Sequence, residues 1–214
     1  NWSNGANTED ISGLGVGTYS VTVTDGNGCT TTLSVTITEP ASIVLSETHT
    51  DVLCNGGLTG AIDLTVVSGG TLPYGYNWSN GVNTEDLSGL GVGTYSVTVT
   101  DGNGCTTTLS VTITEPASIV LSETHTDVLC NGGLTGAIDL TVVSGGTLPY
   151  GYNWSNGANT EDISDLGVGT YSVTVTDDNG CTATLTVTIT EPAAIVLSET
   201  HTDVLCNGDL TGAI

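Results

Sequence analysis

The chain has 214 residues, 23 of them acidic, with no lysine and no arginine, and a formal net charge of −23. Phosphate backbones and anionic lipid surfaces are bound through cations, so nucleic acid and anionic membrane are excluded as partners, and no apolar run suggests direct membrane insertion. Acidic side chains without Lys or Arg partners must be screened by solvent and counter-ions.

The sequence repeats. "NWSNG" begins at Asn1, Asn77 and Asn153, which sets a period of 76 residues. A unit of that size is a small domain that folds with a narrow margin. The expected division is 1–40 as the C-terminal part of a repeat, 41–116 and 117–192 as complete repeats, and 193–214 as the N-terminal part of another. The chain therefore reads as a window on a longer array.

The elements of one unit follow in order. "SIVLSETHTDVLC" (residues 42–54) is an extended run. Residues 61–67 form a strand with Ile62, Leu64 and Val66 facing inward. "SGGTLPYGYNWSNG" is a glycine-rich turn into a short strand carrying Tyr74, Tyr76 and Trp78. "LGVGTY" (90–95) has the form of a tyrosine corner opening the penultimate strand. Residues 95–100 alternate Tyr95, Val97 and Val99 against Ser96, Thr98 and Thr100. Residues 105–114 alternate likewise, with Cys105, Thr107, Leu109, Val111 and Ile113 on one face. Period-two alternation marks strands with one buried and one wet face. Asp101-Gly102-Asn103-Gly104 between them is a hairpin signal, because Asn and Gly tolerate positive φ. "TEPAS" is the expected linker, with "CNGGLTG" as the rival; in the rival case "EPAS" becomes a hairpin turn.

Six or seven short strands per unit, with turns every eight to twelve residues, give an all-β fold. The expected architecture is a tandem array of immunoglobulin-like or fibronectin-like β-sandwich domains. Without Phe or Met, the core aromatics are Trp78 and Tyr95, with Trp154 and Tyr171 in the next copy.

Several residue groups are candidate sites. The Asp-x-Asn-Gly turns offer carboxylate and amide oxygens to calcium: Asp25 and Asn27, Asp101 and Asn103, Asp177 and Asn179. A calcium site needs six to eight oxygens, so Glu85 and Asp86 or a neighbouring domain would have to contribute, which would make the array a calcium-rigidified spacer; otherwise the segment is a bare hairpin turn. His49, His125 and His201 lie in "ETHTD", a solvated strand face in the plain view. "PYGYNW" could hold glycans. "NWS" fits the glycosylation triplet, and the outward Thr rows could form a flat ice- or crystal-binding face. No nucleophile-base constellation or phosphate loop is present, and a near-identical array is a poor way to build one active site, so an enzyme is not expected.

The cysteines recur with the period: Cys29, Cys54, Cys105, Cys130, Cys181 and Cys206. Small, glycine-rich, acidic units with paired cysteines indicate disulfides and an oxidising, extracellular setting. Two pairings are open. One joins Cys54 to Cys105 and Cys130 to Cys181. The other joins Cys29 to Cys54, Cys105 to Cys130 and Cys181 to Cys206, and requires "EPAS" to be a hairpin.

The stretch "CNGGLTGAIDLTVVSGGTLPYGYNWSNGVNTEDLSGLGVGTYSVTVTDGNGC" resembles the SprB repeat of large surface adhesins of gliding bacteria. The resemblance extends to every unit of the chain. It implies a bacterial cell-surface location reached by type IX secretion, and a role in filaments, adhesion or gliding motility. The implied partners are other copies of the array or surface glycans. The family offers no catalytic residues to carry over.

Overall fold

The computed structural model describes residues 1–214, which form fourteen strands and no helix. A first hairpin is β1 (Gly17–Thr24) and β2 (Thr30–Ile37). The next six strands are β3 (Val44–Thr50), β4 (Gly60–Ser68), β5 (Gly75–Trp78), β6 (Leu87–Leu90), β7 (Gly93–Thr100) and β8 (Thr106–Ile113). The same six recur as β9 (Val120–Thr126), β10 (Gly136–Ser144), β11 (Gly151–Trp154), β12 (Ile163–Leu166), β13 (Gly169–Thr176) and β14 (Thr182–Ile189).

Each complete repeat is an all-β sandwich of two three-stranded antiparallel sheets. The first has orders β3-β4-β6 and β5-β7-β8; the second has β9-β10-β12 and β11-β13-β14. Alternation explains the faces. In β10, Ile138 and Leu140 point inward, and in β13, Val173 and Val175 do. Together with Trp154, Ile163, Val187 and Ile189 they make one apolar cluster fed by both sheets. Each such side chain contributes about 1.5–3 kcal/mol on burial. The equivalent residues of the first repeat, Ile62, Leu64, Trp78, Val97, Val99, Val111 and Ile113, are each no more than 3% exposed.

The tyrosine corner is formed. The Tyr95 hydroxyl donates to the Gly91 carbonyl at 3.1 Å, and Tyr171 does the same to Gly167. Both rings are half-buried at the core margin rather than central to it. The indole Nε1 atoms of Trp78 and Trp154 donate to the carbonyls of Thr84 and Thr160. Gly69 fits because the chain passes close by: with φ of +79°, a Cβ there would collide with the Ser42 carbonyl.

β6 and β12 are strands that alternation did not reveal. Each is four residues long, with only its ends buried. The third position, Gly89 or Asp165, has φ of +68° or +57°. Left-handed backbone breaks the period-two pattern, and Asp is among the few residues that tolerate it.

Two compact units divide the contacts: residues 1–51 with 59–113, and residues 52–58 with 114–214. In the first unit, the β1–β2 hairpin is an internal control for the core. Its sequence "GTYSVTVT" is that of β7, yet Val23 is 58% exposed where its counterpart Val99 is 0%. The difference is the opposing sheet, which β7 has and β1 lacks.

Candidate functional site: a loop and a turn joined by a disulfide

The loop containing Cys54 is a built structure within the second unit. The Val52 N–H donates to the Thr114 carbonyl at 2.9 Å, and the Val52 side chain is buried. The Asn55 amide donates to Glu115 Oε1 at 3.0 Å and to the Pro116 carbonyl, while the Gly56 N–H donates to Glu115 Oε2 at 2.7 Å. One carboxylate thus clamps two consecutive residues beyond the cysteine. The same clamp recurs at Cys130, where Asn131 and Gly132 donate to the two oxygens of Glu191.

The turn containing Cys181 is equally defined. Asp177 Oδ1 accepts the backbone N–H groups of Asn179 and Cys181, at 3.0 and 2.8 Å, and Oδ2 accepts that of Thr147. Asp101 accepts Asn103, Cys105 and Thr71 in the same way. At Asp101, burial alone would push the carboxyl up, but the backbone donors of Cys105, Thr71 and Asn103 outweigh it and hold it below the usual carboxylate range. Asn103 spends its amide on Thr71 Oγ1. Asp25 of the isolated hairpin keeps the local bonds, to Asn27 and Cys29.

The calcium candidates are therefore backbone acceptors: in both complete repeats both carboxylate oxygens face N–H donors. No cluster of three or more His, Cys, Asp or Glu side chains converges anywhere in the chain. His49 and His125 bond the glutamates two residues upstream, Glu47 and Glu123, at 3.0 Å. The aromatics of "PYGYNW" are engaged within the fold, with Trp78 buried and the Tyr74 hydroxyl donating to Gly69 at 2.6 Å.

The disulfide joins Cys54 to Cys181, with Cα atoms 5.4 Å apart and 127 residues between them in sequence. Neither expected pairing is formed, and the other four cysteines are free and exposed. Cys54–Cys105 fails on length. Cys105 opens β8, whereas the Cys54 loop is bonded at Thr114, just past its end. Eight strand residues put roughly 26 Å between those points, and a disulfide needs Cα atoms within about 7 Å. The Cys29–Cys54 pattern fails on pairing: β2 hydrogen-bonds only to β1 and β3 only to β4, so "EPAS" is not a hairpin turn. Cys105–Cys130 and Cys181–Cys206 fail with it. The bond formed links the β3–β4 loop of one repeat to the β13–β14 turn of the next. An available signal was that the two cysteines of a unit lie at opposite ends of it, which leaves a neighbouring repeat as the source of a partner.

A groove runs beside this bond. Cys54 and Asn55 lie in it with Pro116, Ser118, Ile119 and Asp177. A corresponding groove lies in the first unit beside Cys105, lined by Glu39, Pro40, Ser42, Ile43 and Asp101.

Sandwiches of two three-stranded sheets, repeated in tandem and tied by a cystine, define an immunoglobulin-like structural array. The SprB repeat family model matches two stretches, residues 46–83 and 122–159, one in each complete repeat. No curated protein matches the chain in sequence. Among solved structures, the N-terminal eight Ig domains of Down Syndrome Cell Adhesion Molecule isoform 1.30.30 are similar at 13% identity and a TM-score of 0.40; the match covers 82% of this chain and 28% of that one. The amphioxus IgVJ-C2 molecule is similar at 15% identity and a TM-score of 0.28, covering 67% of this chain and 96% of that one.

Proposed function

We propose that the chain is a structural segment of an extracellular filament or adhesin stalk on a bacterial surface. The observation that carries this is the Cys54–Cys181 bond, which ties one repeat to the next and calls for an oxidising compartment. The family association with surface adhesins points the same way. So does the near-identity of the copies: a uniform array builds a regular fibre, and any weak contact it makes is multiplied by the number of repeats. Its natural partners are other copies of the same array. The total lack of Lys and Arg keeps such fibres apart at low ionic strength and leaves trypsin-like proteases no cleavage site.

The test is imaging of the native assembly by electron cryotomography, with antibodies to the repeat. The expected image is thin surface fibres labelled along their length, repeating every 35–40 Å on the order of one strand length plus turns. Labelling confined to the cell interior, or to a structureless coat, would refute the proposal.

A further inference from the structure

The groove beside Cys105 repeats the lining of the groove beside Cys181. Pro40, Ser42, Ile43, Asp101 and Cys105 stand where Pro116, Ser118, Ile119, Asp177 and Cys181 stand one period later. In the later groove the occupant is the loop Cys54-Asn55, and its cysteine is bonded to Cys181. The Asp101 turn is set by the same bonds as the Asp177 turn, and Cys105 is free and exposed. The complementary half is also preformed: the Cys130 loop is held by Glu191 as the Cys54 loop is held by Glu115, and Cys130 is free.

We infer that the groove beside Cys105 is a docking site for a Cys-Asn-Gly loop from a further repeat of this sequence, which it fixes as a disulfide to Cys105. Bond formation from two thiols releases two protons and two electrons, which a disulfide oxidant of the glutathione class accepts and becomes two thiols. By exchange no net oxidant is needed: the Cys105 thiolate attacks the loop sulfur of an activated disulfide, a new S–S bond forms, and the leaving thiolate departs. Under this rule a loop cysteine meets a turn cysteine and never its own kind. Cys130 and Cys206 are of the loop type, and Cys29 and Cys105 of the turn type.

Cys29 supplies an internal control. Its turn, Asp25 to Cys29, repeats the Asp101 to Cys105 sequence, but it sits on the lone β1–β2 hairpin, without the strands that build the groove. The probe is a ten-residue peptide, Asp-Val-Leu-Cys-Asn-Gly-Gly-Leu-Thr-Gly, carrying its cysteine as a 2-thiopyridyl disulfide. The protein is the full chain with Cys54–Cys181 formed and with Cys130→Ser and Cys206→Ser. Mass spectrometry of the adducts over time gives a rate for each remaining thiol. Docking raises the effective concentration at one site only, so the expected result is capture at Cys105 about 10-fold faster than at Cys29. A scrambled peptide and free dithiodipyridine should label both within about two-fold, because intrinsic thiol reactivity follows the similar turns. Equal capture rates for the loop peptide, or the same preference with the scrambled peptide or the small reagent, would overturn the docking site. The array proposal, which stands on Cys54–Cys181, would survive that outcome.

Discussion

Replacing Cys54 with serine, or reducing the bond, removes a ring closed over 127 residues. Chain-entropy closure of a ring that long contributes about 5 kcal/mol at 25 °C. The ring encloses β4–β8 of one repeat and β9–β13 of the next. Unfolding either sandwich alone opens a ring of roughly 60 to 65 residues, which the same relation values at about 4 kcal/mol. The logarithm makes these figures nearly independent of which sandwich opens. It also makes them non-additive: once one sandwich has melted, melting the other adds only about 0.6 kcal/mol of ring penalty. The oxidised chain should therefore melt both sandwiches in one coupled step. Reduction should lower the midpoint by about 10–20 °C, since 1 kcal/mol moves a domain pair of this size by about 2–4 °C. Calorimetry on the oxidised chain, the reduced chain and the Cys54→Ser, Cys181→Ser and double variants tests this, with the double expected to equal either single. A drop of less than about 5 °C, or a double variant clearly worse than both singles, would refute the reasoning.

Trp78→Ala should cost about 3–5 kcal/mol and unfold the first sandwich at ambient temperature, whereas Trp2→Ala on the open hairpin should cost much less; chemical denaturation of each variant measures the contrast. The Asp101 carboxyl lies below its unfolded value near 4, so its stabilisation is complete above about pH 4 and fades as pH falls through the folded value; an acid melt of Asp101→Asn should lose that dependence. Burial, reinforced by Glu85, pushes the Tyr76 phenol up to about 12, so its stabilisation is intact below pH 10 and is lost as pH rises through about 12. Ultraviolet titration should find Tyr76 among the last tyrosines to ionise, and earlier in Glu85→Gln. Glu115→Gln loosens the clamp on Asn55 and Gly56 and should slow Cys54–Cys181 formation in a glutathione buffer several-fold, read by thiol trapping.

What the sequence made legible was local. Alternation placed Val97, Val99, Val111 and Ile113 in the core, because strand periodicity is a property of neighbours two apart. The Asp-Gly-Asn-Gly turn and the tyrosine corner were readable for the same reason. β6 was not, since a left-handed third residue leaves only its ends buried. The cystine was not, for a different reason. A perfect period makes every pairing rule repeat equally well, so spacing could not choose among them. Nearest cysteines look natural on paper, but the bond formed passes over Cys105 and Cys130 to reach Cys181. Differences between copies were legible in kind. Asp178 stands where Gly102 does, and a Cβ at Gly102 would lie 2.7 Å from the Leu72 carbonyl. The structure absorbs it by lengthening one bond, from 2.6 Å at Gly102 to Thr71 to 3.0 Å at Asp178 to Thr147.

If the chain serves as the proposed stalk and is pulled, the cystine decides where the pull goes. Tension applied along the backbone reaches Cys54, crosses two sulfur atoms and leaves at Cys181, so the residues between carry none of it. Fully extended, that stretch would span on the order of 400–450 Å. A reduced stalk could pay out this length as its sandwiches tore, and an oxidised one holds it in reserve. The redox state of one bond thus sets whether the chain between Cys54 and Cys181 can lengthen under load, while β3 and β14, outside the ring, stay on the line of force.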